Sequence, residues 1–360
     1  MRQSVLHTAA VSVFLLALAA PPLRAQRATY SMNPDWRVKV GDVEGAQAPG
    51  FDDSGWKRVS VPYAWNEDSA FRVDIHQLPT GVAWYRKRFT LPAGAEGGKV
   101  FLEFEGVRQA AEVYLNGEWV GRSENGVMAF GFDVSKLVRP APAVNVLAVR
   151  TDNDWDYRER ATGQRFQWAD RNFNANYGGI TKNVKLHLTG KLYQTLPLFS
   201  TLGTTGVYVY ADSFDVARRR ARITAESQVR NEYPAARTFR YDVEIRDPDG
   251  RPVAAFQGDE YTLAPGDTVT ARASADVRNL RFWSWGYGAL YDVHTRLIVD
   301  GKVVDEVVTR TGFRKTAFHD GMVYLNDRVL MIHGYGQRTT NEWPAVGGSV
   351  PAWLSDYSNG

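Results

Sequence analysis

Ala111-Glu-Val-Tyr-Leu115 runs into Asn116-Gly117 and leaves through Glu118-Trp119-Val120. Apolar and polar side chains alternate, the period of a strand with one buried face. Asn-Gly supplies the positive φ angles of a type I′ turn, so the stretch reads as a tight antiparallel hairpin. Strand patterns continue on both sides. Phe101-Leu-Glu-Phe-Glu105 alternates apolar and acidic residues, and Asn145-Val-Leu-Ala-Val-Arg150 and Val184-Lys-Leu-His-Leu-Thr189 are further runs. No full-length amphipathic helix is legible between residues 30 and 190. Short strands separated by Gly- and Asp-rich turns predict a sandwich or jelly roll.

The pattern breaks near residues 190–205 and a second β-block follows. In Ala221-Arg-Ile-Thr-Ala-Glu-Ser-Gln-Val229, Ile223, Ala225 and Val229 share one face. Tyr241-Asp-Val-Glu-Ile245 alternates too and turns at Asp247-Pro-Asp-Gly250; Leu290–Val299 and Val303–Val308 flank Asp300-Gly301 as a long hairpin. This spacing fits an immunoglobulin-like sandwich of about seven strands, without the cysteine pair of antibody domains. The last block differs. Asp320-Gly321 and Asn326-Asp327 punctuate two short strands, and Arg328-Val-Leu-Met-Ile-His333 reads as a strand buried on both faces, as in a parallel barrel. Val350-Pro-Ala-Trp-Leu354 would begin the helix after it. The chain is therefore expected to be mainly β.

Composition narrows the function. Aromatic residues make up 12% of the chain, with 11 Trp and 17 Tyr, which favours either bulky sandwich cores or stacking on sugars. Arg2, the apolar run Ala9–Ala20 and Ala25 together resemble an export signal, too short to span a bilayer. Removing residues 1–25 takes away two arginines and no acid, leaving the remainder close to neutral. Nucleic acid and anionic membrane are thus poor partners, and Arg218-Arg219-Arg220 reads as a solvated loop. The absence of cysteine excludes disulfides and thiol chemistry. The six scattered histidines form no zinc-like spacing, so no metal and no cofactor is expected.

The first block carries Phe51-Asp-Asp-Ser-Gly-Trp56 with Val59-Ser-Val-Pro62, Trp84-Tyr-Arg-Lys-Arg-Phe89, Phe104-Glu-Gly-Val107, the hairpin Ala111–Gly117 with Val120-Gly121, Asn145–Val149, and Tyr177-Gly-Gly-Ile180. Phe282-Trp-Ser-Trp285 with Leu290-Tyr291, then Gly312-Phe-Arg314 and Tyr324-Leu-Asn326, follow in the second block and beyond it. In kind and in order these stretches resemble glycoside hydrolase family 2, the family of β-galactosidases, β-glucuronidases and β-mannosidases. With the export signal taken as residues 1–25, the resemblance implies a galactose-binding-like jelly roll over 26–192, an immunoglobulin-like sandwich over 193–312 and, over 313–360, the first strands of an incomplete (β/α)8 barrel. It also implies retaining hydrolysis of O-glycosidic bonds by two Glu residues, whose carboxyls must stand about 5 Å apart. In the family these sit near the ends of the fourth and seventh barrel strands. A barrel takes roughly 250 residues, so both catalytic positions are expected beyond Gly360 and the chain is expected to be an inactive N-terminal fragment.

Asn341-Glu342 matches the family's acid/base dipeptide in kind but follows the first barrel strand. Glu342 is therefore read as a substrate contact or pocket-wall residue, with the acid/base role and a surface or interdomain loop as the alternatives. Arg338 would hold a hydroxyl or carboxylate bidentately, and Trp343 would form a stacking wall. His333 and Thr339-Thr340 depart from the family pattern there and put plain β-galactosidase specificity in doubt. In the first block, Asp152, Asn153 and Asp154 follow a strand where some family members send a loop into the pocket. They are candidates for sugar hydroxyls or a cation, or an ordinary polar turn. Phe166–Asn176 would wall the pocket or form a sandwich edge, and Trp283 and Trp285 read as packing at the spacer–barrel junction. The expected partner is an oligosaccharide or polysaccharide, and the expected location is periplasmic or extracellular. The rival reading is an exported, non-catalytic carbohydrate-binding or scaffold module.

Overall fold

The computed structural model describes residues 27–334, apart from 70–71, 75–76, 94, 109 and 166–175. The candidates Arg338, Glu342 and Trp343, the export signal and most of Phe166–Asn176 lie outside the described residues. In chain order the first strands are β1 (Ala28–Ser31), β2 (Trp36–Val40), β3 (Lys57–Val59), β4 (Tyr63–Ala64), β5 (Val82–Phe89) and β6 (Lys99–Phe104). Then come β7 (Ala110–Leu115), β8 (Glu118–Ser123), β9 (Phe130–Asp133), β10 (Asn145–Asp152), β11 (Gly179–Ile180) and β12 (Val184–Thr189). They form a sheet β1-β12-β6-β9, a sheet β3-β2-β5-β10-β7-β8 and a short β11-β4 pair. The Asn116-Gly117 turn is as read: both residues have positive φ, and Leu115 faces Glu118 across it.

The apolar residues of the alternating strands meet between the two larger sheets. Trp36 and Tyr85 are fully buried and pack edge to face at 6.5 Å, and Phe104 stacks on Phe130 at 5.0 Å. One outer face carries a buried ion cluster that joins two of the sequence motifs. Arg86, fully buried on β5, donates from Nε to Asp53 Oδ2 at 2.8 Å, while Arg88 Nη1 reaches Asp53 Oδ1 at 2.6 Å. Burial alone would raise the Asp53 carboxyl, but the hydrogen bonds from Arg86 and Arg88 outweigh it and hold the group below its ordinary value.

The second block continues with β13 (Leu192–Gln194), a one-turn helix α1 (Phe199–Leu202), β14 (Val207–Asp215), β15 (Arg220–Asn231) and β16 (Arg237–Arg246). After them come β17 (Pro252–Leu263), β18 (Thr268–Val277), β19 (Tyr291–Val299) and β20 (Lys302–Thr311). One sheet runs β13-β15-β14 with β18 also on β15; the other runs β17-β16-β19-β20. This is an immunoglobulin-like sandwich with one strand more than the pattern suggested, because the connector supplies β13. Ile223, Phe239, Tyr241 and Leu297 form its core. Phe313 of the Gly312-Phe-Arg314 motif closes it, 2% exposed and stacked on Tyr291 at 5.6 Å. A Cβ at Gly312 would lie 2.8 Å from the Ala289 carbonyl, so the close approach needs glycine. Trp283 packs there under Arg314, as expected, but Trp285 is 72% exposed and packs little.

β21 (Thr316–His319), β22 (Met322–Leu325) and β23 (Arg328–Val329) make a small antiparallel sheet. The strand expected over Arg328–His333, buried on both faces, differs here. β23 is two residues long, pairs among the described residues with β22 alone, and Met331 and Ile332 are 68% and 69% exposed. An apolar strand stays covered only where neighbours close both faces, and the described residues supply none. No helix among the described residues is long and apolar enough to cross a membrane.

Asp53→Asn is expected to lower stability to urea by roughly 3–5 kcal/mol, because Arg86 is left buried and unneutralised. A depressed carboxyl stabilises the fold above its unfolded value near 3.8 and loses that contribution as the pH falls through its folded value. The variant should therefore lose stability less steeply than the wild type in that acid range. Identical pH–stability curves would contradict the assignment.

Candidate functional site

The candidate triplet lies where β10 ends. Asp152 is the last residue of the strand, opposite Val82 on β5 and Ala110 on β7. Its carboxylate accepts the Asp154 backbone N–H at 3.1 Å and stands 3.8 Å from Arg150 Nη1. Arg150 is shared, since it also grips Asp42 through Nε at 3.0 Å and Nη2 at 2.7 Å. Burial therefore wins at Asp152 and raises its carboxyl above the ordinary aspartate value, against the pull of the Asp154 N–H and Arg150. Asp154 accepts the Asp156 N–H at 2.7 Å, the local turn bond typical of aspartate. Both carboxylates keep acceptor capacity toward solvent and can take hydroxyl donors. Among the described residues no three His, Cys, Asp or Glu side chains converge to hold a metal ion.

Asn153 is placed differently from the expected sugar contact. It is fully buried; its Oδ1 accepts the Gly81 N–H at 3.2 Å and its Nδ2 donates to the Asn176 carbonyl at 2.9 Å. Asn176 returns a bond from Nδ2 to the Asn153 carbonyl at 2.6 Å. A third buried amide, Asn66, donates to the carbonyls of Pro79 and Asn176 and accepts the Gly178 N–H at 3.1 Å. Three asparagines thus tie together the ends of loops from distant parts of the chain. Unpaired backbone groups at this depth would be costly.

The Tyr177-Gly-Gly-Ile180 motif follows from the same crowding. A Cβ on Gly178 would lie 2.4 Å from Asn153 Cγ and 2.5 Å from Trp65 Nε1. Gly179 has φ of 110° and bridges Arg108 through two backbone hydrogen bonds. Around this core stand groups to which the sequence analysis gave no role. Glu67 and Tyr177 are raised by burial, and burial lowers the Arg108 guanidinium, whose Nε has no partner among the described residues. Tyr177 stood out only as part of the Tyr177-Gly-Gly-Ile180 motif, and Glu67 and Arg108 only by lying close to the Pro62 and Val107 stretches. The end of the first sandwich therefore presents carboxylates, a guanidinium and tyrosine around a rigid amide core, a set suited to hydrogen-bonding a polyhydroxylated ligand.

Asn153→Ala is expected to destabilise the fold by about 1–3 kcal/mol through its stranded partners, with Asp154→Ala near neutral. Thermal unfolding of both variants checks the order, and the reverse order would return Asn153 to a solvent-facing role.

Two family descriptions match the chain. Residues 67–185 match "Glycosyl hydrolase 2 galactose-binding domain-like" and residues 205–314 match "Glycosyl hydrolases family 2". A β-glucuronidase of Formosa agariphila is 31% identical over 93% of this chain and 34% of its own length. A β-galactosidase of Bacteroides ovatus is 28% identical over 88% of this chain and 35% of its own. A solved β-glucuronidase from glycoside hydrolase family 2 superposes with a TM-score of 0.83 at 32% identity, over 92% of this chain and 35% of that one. The chain spans about a third of the length of the curated relatives it matches. The order of the two sandwiches, the motifs that build their cores and these similarities agree: the chain belongs to glycosyl hydrolase family 2.

Proposed function

We propose that this chain supplies the sugar-recognition and spacer sandwiches of an exported glycosidase that hydrolyses β-linked oligo- or polysaccharides with retention. The observation that carries the reading is the two-sandwich similarity to a family-2 β-glucuronidase. In this reading Asp152 and Asp154 offer acceptors to sugar hydroxyls from the end of the first sandwich, and Asn153 holds their loop. Arg338, Glu342 and Trp343 complete the proposed sugar contacts. The acid/base and nucleophile carboxylates, which must face each other about 5 Å apart, are carried outside the described residues. The apolar run Ala9–Ala20 supports export to the periplasm or the medium.

The 360-residue chain is expected to give no turnover of para-nitrophenyl β-glucuronide or β-galactoside. Turnover by the 360-residue chain that disappears in Glu342→Gln would overturn the placement of the catalytic pair.

A further inference from the structure

A cleft of about 500 Å3 lies where the second sandwich meets the β21–β22–β23 sheet. Arg219, Arg281, Arg328, Ser284, Tyr287 and Asn326 line it, and among the described residues no acidic one does. Arg219 is aimed by two carbonyls, donating from Nε to Leu280 at 3.0 Å and from Nη2 to Asn279 at 2.9 Å. Carbonyls fix its direction without cancelling its charge. The Arg281 backbone is pinned by Tyr291, whose Oη accepts its N–H at 2.7 Å. Arg281 and Arg328 make no ion pair among the described residues.

The neighbouring arginines behave otherwise. Arg218 and Arg220 both pair with Asp215, and Arg222 pairs with Asp276. Cations just outside the cleft are neutralised, and the three inside it are not. Three arginines among the lining residues, none paired with an acid among the described residues, concentrate positive potential and suit the planar, forked recognition of a carboxylate or sulfate. Tyr287, which also lines the cleft, is 56% exposed, a large ring in contact with water. An aromatic ring beside arginines matches a ligand with an apolar ring face and an oxyanion substituent.

We propose that this cleft is a second glycan site, separate from the Asp152–Asp154 loop, which takes a sugar unit bearing a carboxylate or sulfate group. That the anion belongs to a glycan rests on the proposed glycosidase function; the anion preference rests on the cleft alone. Nucleic acid shares the chemistry in part, but a formal charge of +3 over the whole chain gives little long-range attraction for a polyanion.

The test is calorimetric titration of the full chain with trigalacturonate, cellotriose, inorganic sulfate and a short oligothymidylate. Trigalacturonate is expected to bind about tenfold or more tighter than cellotriose and sulfate, and Arg281→Ala with Arg328→Ala to weaken it by a similar factor. Tyr287→Ala should weaken trigalacturonate and leave sulfate unchanged. All three residues are exposed, so melting temperatures should hold. Equal binding of the neutral trisaccharide, sulfate as tight as the acidic sugar, tighter oligothymidylate, or insensitivity to the arginine variants would each overturn the proposal. Binding is read without turnover, so failure of the glycosidase reading and failure of this site are separable.

Discussion

A fully buried carboxylate, Asp305 on β20, joins the parts of this protein. It accepts Arg27 Nε and Nη2, each at 3.0 Å, and the Gln194 backbone N–H at 2.8 Å. Arg27 immediately precedes the first strand of the first sandwich, Gln194 lies on one sheet of the second, and Asp305 on the other. The bonds continue inward. Gln194 Oε1 accepts the hydroxyls of Ser227 and Thr295, and Ser227 meets the Tyr241 hydroxyl at 2.6 Å. A buried charge is tolerable only when its lone pairs are filled this completely. Burial also raises the Tyr241 phenol far above its ordinary value and keeps it a neutral hydrogen-bonding group.

A second contact runs parallel to this one. Lys99 on β6 reaches Glu232 at 2.7 Å, Tyr193 donates to the same carboxylate at 2.7 Å, and the Phe101 and Tyr193 rings meet at 5.5 Å. The Gly131 N–H on β9 reaches the Thr201 hydroxyl of α1 at 3.0 Å. Two polar networks with apolar contact between them leave the sandwiches little freedom to rotate. Within the first sandwich the buried Asn66, Asn153 and Asn176 do the same for the loops around Asp152. The frame thus holds the Asp152–Asp154 loop and the arginine-lined cleft, one per sandwich, at fixed positions.

Local chemistry was the legible part of the sequence. The Asn116-Gly117 hairpin, the Asp300-Gly301 turn and the alternating strands need only neighbouring residues to specify them, and they stand as read. Long-range partners were not legible. Asn153 looked like a binding residue because a polar triplet after a strand carries no mark of what lies above it; Gly81 and Asn176 decide its role. The unpaired state of Arg281 and Arg328 among the described residues likewise depends on what surrounds the cleft, whereas Arg218-Arg219-Arg220 is exposed as read, with Arg219 tied to two carbonyls at the cleft and its neighbours to Asp215. Met331 and Ile332 show the converse: an apolar run states a need for cover without supplying it.

The family sets what such a frame is for, and the rigidity of the frame sets whether its groups can act together. Differential scanning calorimetry of Asp305→Ala tests that rigidity directly. The wild type is predicted to unfold in one cooperative transition, and the variant, with Arg27 stranded, to separate into two transitions, the lower one belonging to the second sandwich. A single transition in the variant at the wild-type temperature would show that the sandwiches are not held together through this carboxylate.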